Sequence, residues 1–181
     1  MDIQAQIVEV EAKGKPKRFV FVLLPNFTML CFACALESLR IANRMANKKL
    51  YDWAIAGEGG EIARCSNGTE FKLNMDLGDL AREDVVMVCG GIDVQAATTK
   101  KMVSWLRREA RKGVTMGGLC TAGYTLAKAG LLDGKKATIH WENQDSFAEE
   151  FEDVKLTKSV DRKSTRLNSS HSSVSRMPSS A

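Results

Sequence analysis

Three unbroken apolar runs of strand length, residues 19–24, 85–89 and 114–119, constrain the fold more than any other feature of this chain. A strand with one face in water alternates apolar and polar residues. An unbroken run instead requires burial on both faces, as in a parallel sheet covered by helices on either side. The intervening segments supply those helices. Residues 29–46 carry Leu30, Ala33, Leu36, Leu39, Ala42 and Met45 at helical spacing with Arg40 and Arg44 off the stripe, so these six are expected to face inward. Residues 98–112 direct Met102, Val103, Leu106 and Ala110 inward and leave Arg107, Arg108, Arg111 and Lys112 as a solvated face. Shorter strands are expected over 53–56, 137–139 and 154–156, and helices over 121–129 and 145–151. A hairpin, or a strand pair on the sheet edge, is expected over 61–73, centred on Asn67-Gly68. Alternating strands and helices of this kind give an α/β layered fold with a mainly parallel central sheet.

The chain divides into a polar leader (1–18), a periodic body (19–160) and a tail (161–181) that loses hydrophobic patterning altogether. One choice of codons for residues 161–171 and for residues 175–181 spells the two constant pieces of a common sequencing adapter. The tail is therefore expected to be non-native, and the domain to be cut short at Val160. Arg162, Lys163, Arg166 and Arg176 against Asp161 alone account for three of the net charges in the total of +4, so the body is close to neutral. A neutral body offers no electrostatic case for contact with nucleic acid or an anionic membrane. No apolar stretch approaches the ~20 residues of a membrane span, and the N-terminus lacks a signal-peptide pattern, so a cytoplasmic protein is expected. The five cysteines are an odd number at irregular spacing. That suits free thiols in a reducing compartment, with neither a metal site nor a cofactor expected.

The candidate site lies at Gly117-Gly118-Leu119-Cys120-Thr121-Ala122-Gly123, where an apolar run stops at small residues and a helical pattern starts. A sharp strand-to-helix turn of this kind projects one side chain, here the Cys120 thiol, clear of the backbone. Gly90-Gly91 and His140 also follow expected strands. In open α/β sheets, ligands bind at the carboxyl ends of the strands, so these positions should converge. His140 is the one histidine outside the tail and thus the one candidate base for Cys120, while Gly91 and Thr121 could offer backbone N–H groups to an oxyanion.

The elbow, the run Ala127-Lys128-Ala129-Gly130-Leu131-Leu132-Asp133-Gly134 and the segment Ala137-Thr138-Ile139-His140-Trp141 resemble the PfpI-type, class I glutamine-amidotransferase-like domain. Leu24-Pro25-Asn26-Phe27, Leu36-Glu37-Ser38-Leu39-Arg40-Ile41-Ala42-Asn43 and Cys89-Gly90-Gly91 resemble its GlxA group, the sensing half of AraC-type transcription regulators. The resemblance implies a flavodoxin-like three-layer α/β/α sandwich, a homodimer and a small-molecule effector. It also implies DNA contact only through a helix-turn-helix domain absent from this chain. It implies a pocket lined by Cys31, Gly90, Gly91, Cys120, Thr121, His140 and Trp141 for a small nitrogenous metabolite, with Trp141 available for a cation–π contact. The alternative is a stand-alone cysteine-dependent hydrolase, hydratase or glyoxalase-type enzyme with Cys120 as nucleophile and His140 as base. Against it, Cys31 stands where catalytic relatives carry a carboxylate, Ala122 replaces an elbow glycine, and Glu37 reads as a surface carboxylate. The acid that follows the amidotransferase histidine would reach Glu142 only by skipping Trp141, so no role is carried over to Glu142.

Overall fold

The computed structural model describes residues 15–157. In chain order the elements are β1 (Lys17–Leu23), α1 (Met29–Met45), β2 (Tyr51–Ala56), β3 (Ile62–Arg64), β4 (Glu70–Lys72) and β5 (Val85–Cys89). They continue with α2 (Val94–Ala97), α3 (Lys100–Arg111), β6 (Thr115–Leu119), α4 (Gly123–Lys128), β7 (Lys136–Ala137), α5 (Gln144–Glu150) and β8 (Lys155–Leu156). The expectations for residues 1–14 and 158–181, most of the leader and all of the adapter-like tail, lie outside the described residues.

The three apolar runs become β1, β5 and β6, and with β2 they form a parallel sheet in the order β2-β1-β5-β6. Side chains alternate across it with the strand period of two. Val20, Val22, Val86 and Val88 enter one core layer with Met102, Trp105 and Leu106 of α3 and Leu126 of α4. Phe21, Leu23 and Cys89 enter the other, with Phe32 of α1 and Ala63 of the hairpin. This is a three-layer sandwich of the flavodoxin-like kind. The hairpin layer is aromatic: Phe21, Phe27, Phe32 and Phe71 meet edge to face, with ring centroids 5.5 to 5.8 Å apart.

Four expectations are corrected. The expected stripe of α1 holds in its middle, where Leu36 and Leu39 pack against the core, but not at its ends, for Leu30 and Met45 are 69% and 83% exposed while Phe32 is buried. The aromatic cluster takes Phe32 inward. The strands expected at 137–139 and 154–156 shrink to β7 and β8, which pair with each other apart from the central sheet. The helix expected from residue 98 starts at Lys100, because the Thr99 side chain accepts a hydrogen bond from Met102 N and caps it. The short α2 precedes it. Finally, Arg107, Arg108 and Lys112 are not simply solvated. Arg107 donates to the carbonyls of Lys128 and Ala129 at the end of α4, while Arg108 and Lys112 hold the buried carboxylate of Glu109. Among the described residues no helix is long and apolar enough to cross a membrane.

Candidate functional site

At the end of β6 the chain turns through Cys120 with φ at +58°, a left-handed conformation that a non-glycine residue adopts only under constraint. The constraint is close packing on both sides. A Cβ on Gly118 would lie 3.1 Å from Leu126, and one on Gly90 would lie 2.5 Å from Ala122 N. A Cβ on Gly91 would overlap the Asn26 carbonyl. The Thr121 hydroxyl donates to the Gly91 carbonyl at 2.8 Å and ties the two loops together. The chain does not enter a helix directly from the elbow, as expected, but passes first through a 3-10 turn, Cys120–Ala122.

The thiol that this turn projects is half-buried, and Thr28 Oγ1 lies 3.6 Å from its Sγ. Thr28 is the N-cap residue of α1, so the first turn of that helix stands over the elbow. Gly91 bridges to Phe27 as the pair that does not exchange hydrogen bonds. The flanking bonds, Thr28 N to Gly90 O and Ile92 N to Asn26 O, leave the Gly91 N–H free of the bridge.

A cavity of about 460 Å3 opens at this edge. Of the expected residues, Gly91, Cys120, Thr121 and His140 line it together. Cys31, Gly90 and Trp141 do not. Gly90 is packed beneath the elbow. Cys31 lies close enough to Cys120 for the neighbouring sulfur to act on its titration. Trp141 is 72% exposed, its ring centroid 5.7 Å from that of His140. His140 does not end a strand; it precedes a 3-10 turn, Trp141–Asn143, three residues beyond β7. Its Nδ1 stands 3.5 Å from Glu142 Oε2, and no hydrogen bond among the described residues joins it to Cys120. The 3-10 turn thus places the Glu142 carboxylate beside the histidine.

Sequence reasoning missed Thr28, Ser66, Asp93 and Asn143 on the cavity wall. Asp93 carried a readable signal: it follows Gly90-Gly91 by two residues, and its φ of +54° marks a second constrained loop position. Asp93 and Glu142 are the carboxylates of the wall, and no lysine or arginine lines it. The cavity is therefore suited to a small cation or a hydrogen-bond donor. Among the described residues no group of three His, Cys, Asp or Glu side chains is arranged to hold a metal ion. Behind the wall, burial and then the neighbouring Cys31 push the Cys89 thiol up to about 12, which keeps it protonated. Burial and the Cys120 sulfur push the Cys31 thiol up as well.

The profile of the DJ-1/PfpI family matches residues 33–170. Over 142 residues the chain is 39% identical to the HTH-type transcriptional regulator CdhR of Pseudomonas aeruginosa, covering 78% of this chain and 42% of that protein. Over 140 residues it is 36% identical to the HTH-type transcriptional regulator GlxA of Rhizobium meliloti, covering 75% of this chain and 42% of that protein. The chain thus spans about two fifths of the length of these curated relatives. The crystal structure of an AraC family transcriptional regulator from Pseudomonas putida superimposes with a TM-score of 0.66 at 25% identity, over 80% of this chain and 77% of that one.

Proposed function

The chain belongs to the DJ-1/PfpI family, and from that premise we propose that it is the effector-sensing part of a GlxA-type transcription regulator of the AraC class. In this reading it works as a cytoplasmic homodimer and passes effector occupancy to a DNA-binding helix-turn-helix domain outside this sequence. The likeness to HTH-type regulators supports the regulator assignment. The effector is a small nitrogenous metabolite carrying a positive charge. One observation carries that part: the cavity beside Cys120 has Asp93 and Glu142 on its wall and neither lysine nor arginine.

A panel of small amines, quaternary ammonium compounds, amino acids and size-matched carboxylates, titrated by calorimetry, tests the reading. Cations are expected to bind and simple carboxylates to fail. Asp93→Asn or Glu142→Gln should each weaken the best binder roughly 10-fold to 100-fold, the loss of one hydrogen bond to a charged group. Binding of carboxylates in preference to amines would overturn it.

A second reading, a cysteine-dependent hydrolase, hydratase or lyase, is favoured by the constrained Cys120 and by the His140–Glu142 contact. It requires turnover that ceases on alkylation of Cys120. A sensor binds its effector and releases it unchanged.

A further inference from the structure

Three of the five cysteines come together below the cavity. Cys89 ends β5 and stands in register with Leu119, the residue before Cys120. Cys31 lies in the first turn of α1, three residues after Thr28, and that spacing sets both residues on one side of the helix. The Thr28 hydroxyl contacts the Cys120 sulfur at 3.6 Å, so the turn that carries Cys31 is already seated on the elbow. Cys31 and Cys120 are both half-buried free thiols, whereas Cys89 is 1% exposed and out of reach of solutes. Cys34, one turn further along α1, is exposed.

We propose that Cys31 and Cys120 are a redox pair, in which peroxide oxidises Cys120 at the cavity wall and Cys31 then closes a disulfide that fastens the first turn of α1 to the elbow. The electron count closes without any other reagent. The Cys120 sulfur attacks one oxygen of hydrogen peroxide and the O–O bond breaks. The departing hydroxide takes up the thiol proton as water, and a sulfenic acid remains. The Cys31 sulfur then attacks the sulfenic sulfur and the S–O bond breaks. A second water leaves with the Cys31 proton. Two thiols and one peroxide become one disulfide and two waters. The order follows from access, since Cys120 lines the cavity and Cys31 does not. A disulfide of this kind in a reducing compartment is transient, made by an oxidant pulse and undone by thiol exchange. It would add an oxidant input to the pocket, and it stands whether or not the sensor reading holds.

The test is a peptide mass map of the full chain after brief treatment with hydrogen peroxide, quenching with iodoacetamide and digestion without reductant. The expected main product is a Cys31–Cys120 cross-link, with Cys34, Cys65 and Cys89 recovered as alkylated thiols and the link removed by dithiothreitol. Cys31→Ser should convert the product to sulfenic and sulfinic acid at Cys120, and Cys34→Ser should leave the cross-link unchanged. Sulfinic acid at Cys120 beside a free Cys31 in the unsubstituted protein overturns the proposal. So does a cross-link through Cys34, or five unreacted thiols. The map of the unsubstituted protein decides by itself, so a variant that fails to fold leaves no gap.

Discussion

The two ends of the central sheet use the same kinds of side chain in opposite ways. At the amino ends of β1, β5 and β6 two carboxylates are buried and fully engaged. Asp84, 4% exposed, accepts from Arg18 Nε and Nη2 at 3.0 and 2.5 Å and from Ala81 N at 3.0 Å. Glu109, wholly buried, accepts from Leu80 N, Arg108 and Lys112. At the carboxyl ends, Asp93 and Glu142 face a cavity without a lysine or arginine on its wall, and three non-glycine residues, Asn26, Asp93 and Cys120, sit at positive φ. Satisfied charge marks the end that holds the fold. Open charge and constrained backbone mark the end available to a ligand. Substitutions at the two ends should therefore differ in sign as well as in size.

The largest effect is expected at Glu109. Truncation in Glu109→Ala leaves Leu80 N–H buried without its acceptor and removes the anchor of two cations. Because Arg108 and Lys112 are partly exposed and can rehydrate, the cost should fall at the low end of the range for a broken buried pair, about 2–3 kcal/mol. Urea unfolding measures it, and a cost below that of ordinary surface substitutions would erase the contrast between the two ends.

The acid limb of stability sharpens the same point. Burial alone would raise the Glu109 carboxyl, but hydrogen bonds from Arg108, Lys112 and Leu80 N outweigh it and hold the group below the ordinary glutamate range. A group whose folded pKa is depressed contributes stability that is fully present above its unfolded pKa and is lost as pH falls through the folded one. Glu109→Gln keeps an acceptor for Leu80 N but cannot titrate. It should cost about 1 kcal/mol at neutral pH and lose less stability than the parent on acidification below the glutamate range. Unfolding free energies across that window check this, and parallel pH curves for parent and variant would refute it.

Legibility in the sequence follows the same division. Unbroken apolar runs announce strands buried on two faces, so β5 falls on residues 85–89 as expected and β1 and β6 within two residues of expectation. The elbow was legible too, since only small residues tolerate such packing. What escaped was set by distant partners. The burial of Phe32 is fixed by Phe27 and Phe71, which lie outside the helix, and no spacing rule within residues 29–46 contains that information. Glu109 was not singled out among the basic residues around it, because its buried acceptor role depends on Leu80, 29 residues away. Glu142 was set aside on motif spacing, yet a 3-10 turn brings it to His140. The cavity wall mixes five chain segments, so its carboxylates became visible only once they were assembled.

The smallest effect is the most discriminating, because it should run the other way. Cys120 holds φ at +58°, a conformation that costs an L-residue about 1–2 kcal/mol and glycine almost nothing. Cys120→Gly relieves that strain and loses the Thr28 contact and some unfolded-state restriction, worth roughly 0.5–1 kcal/mol together. The net expectation is a protein more stable by about 0.5 kcal/mol, with the cavity thiol and all its chemistry gone. Cys120→Ser, which keeps the side chain and the strain, should leave stability near that of the parent. Paired urea curves for the two variants separate the explanations. A gain for glycine alone means that the elbow is held in strain for the sake of its side chain. A loss for glycine comparable to Glu109→Ala would make Cys120 a packing element and dissolve the difference between the two ends of the sheet.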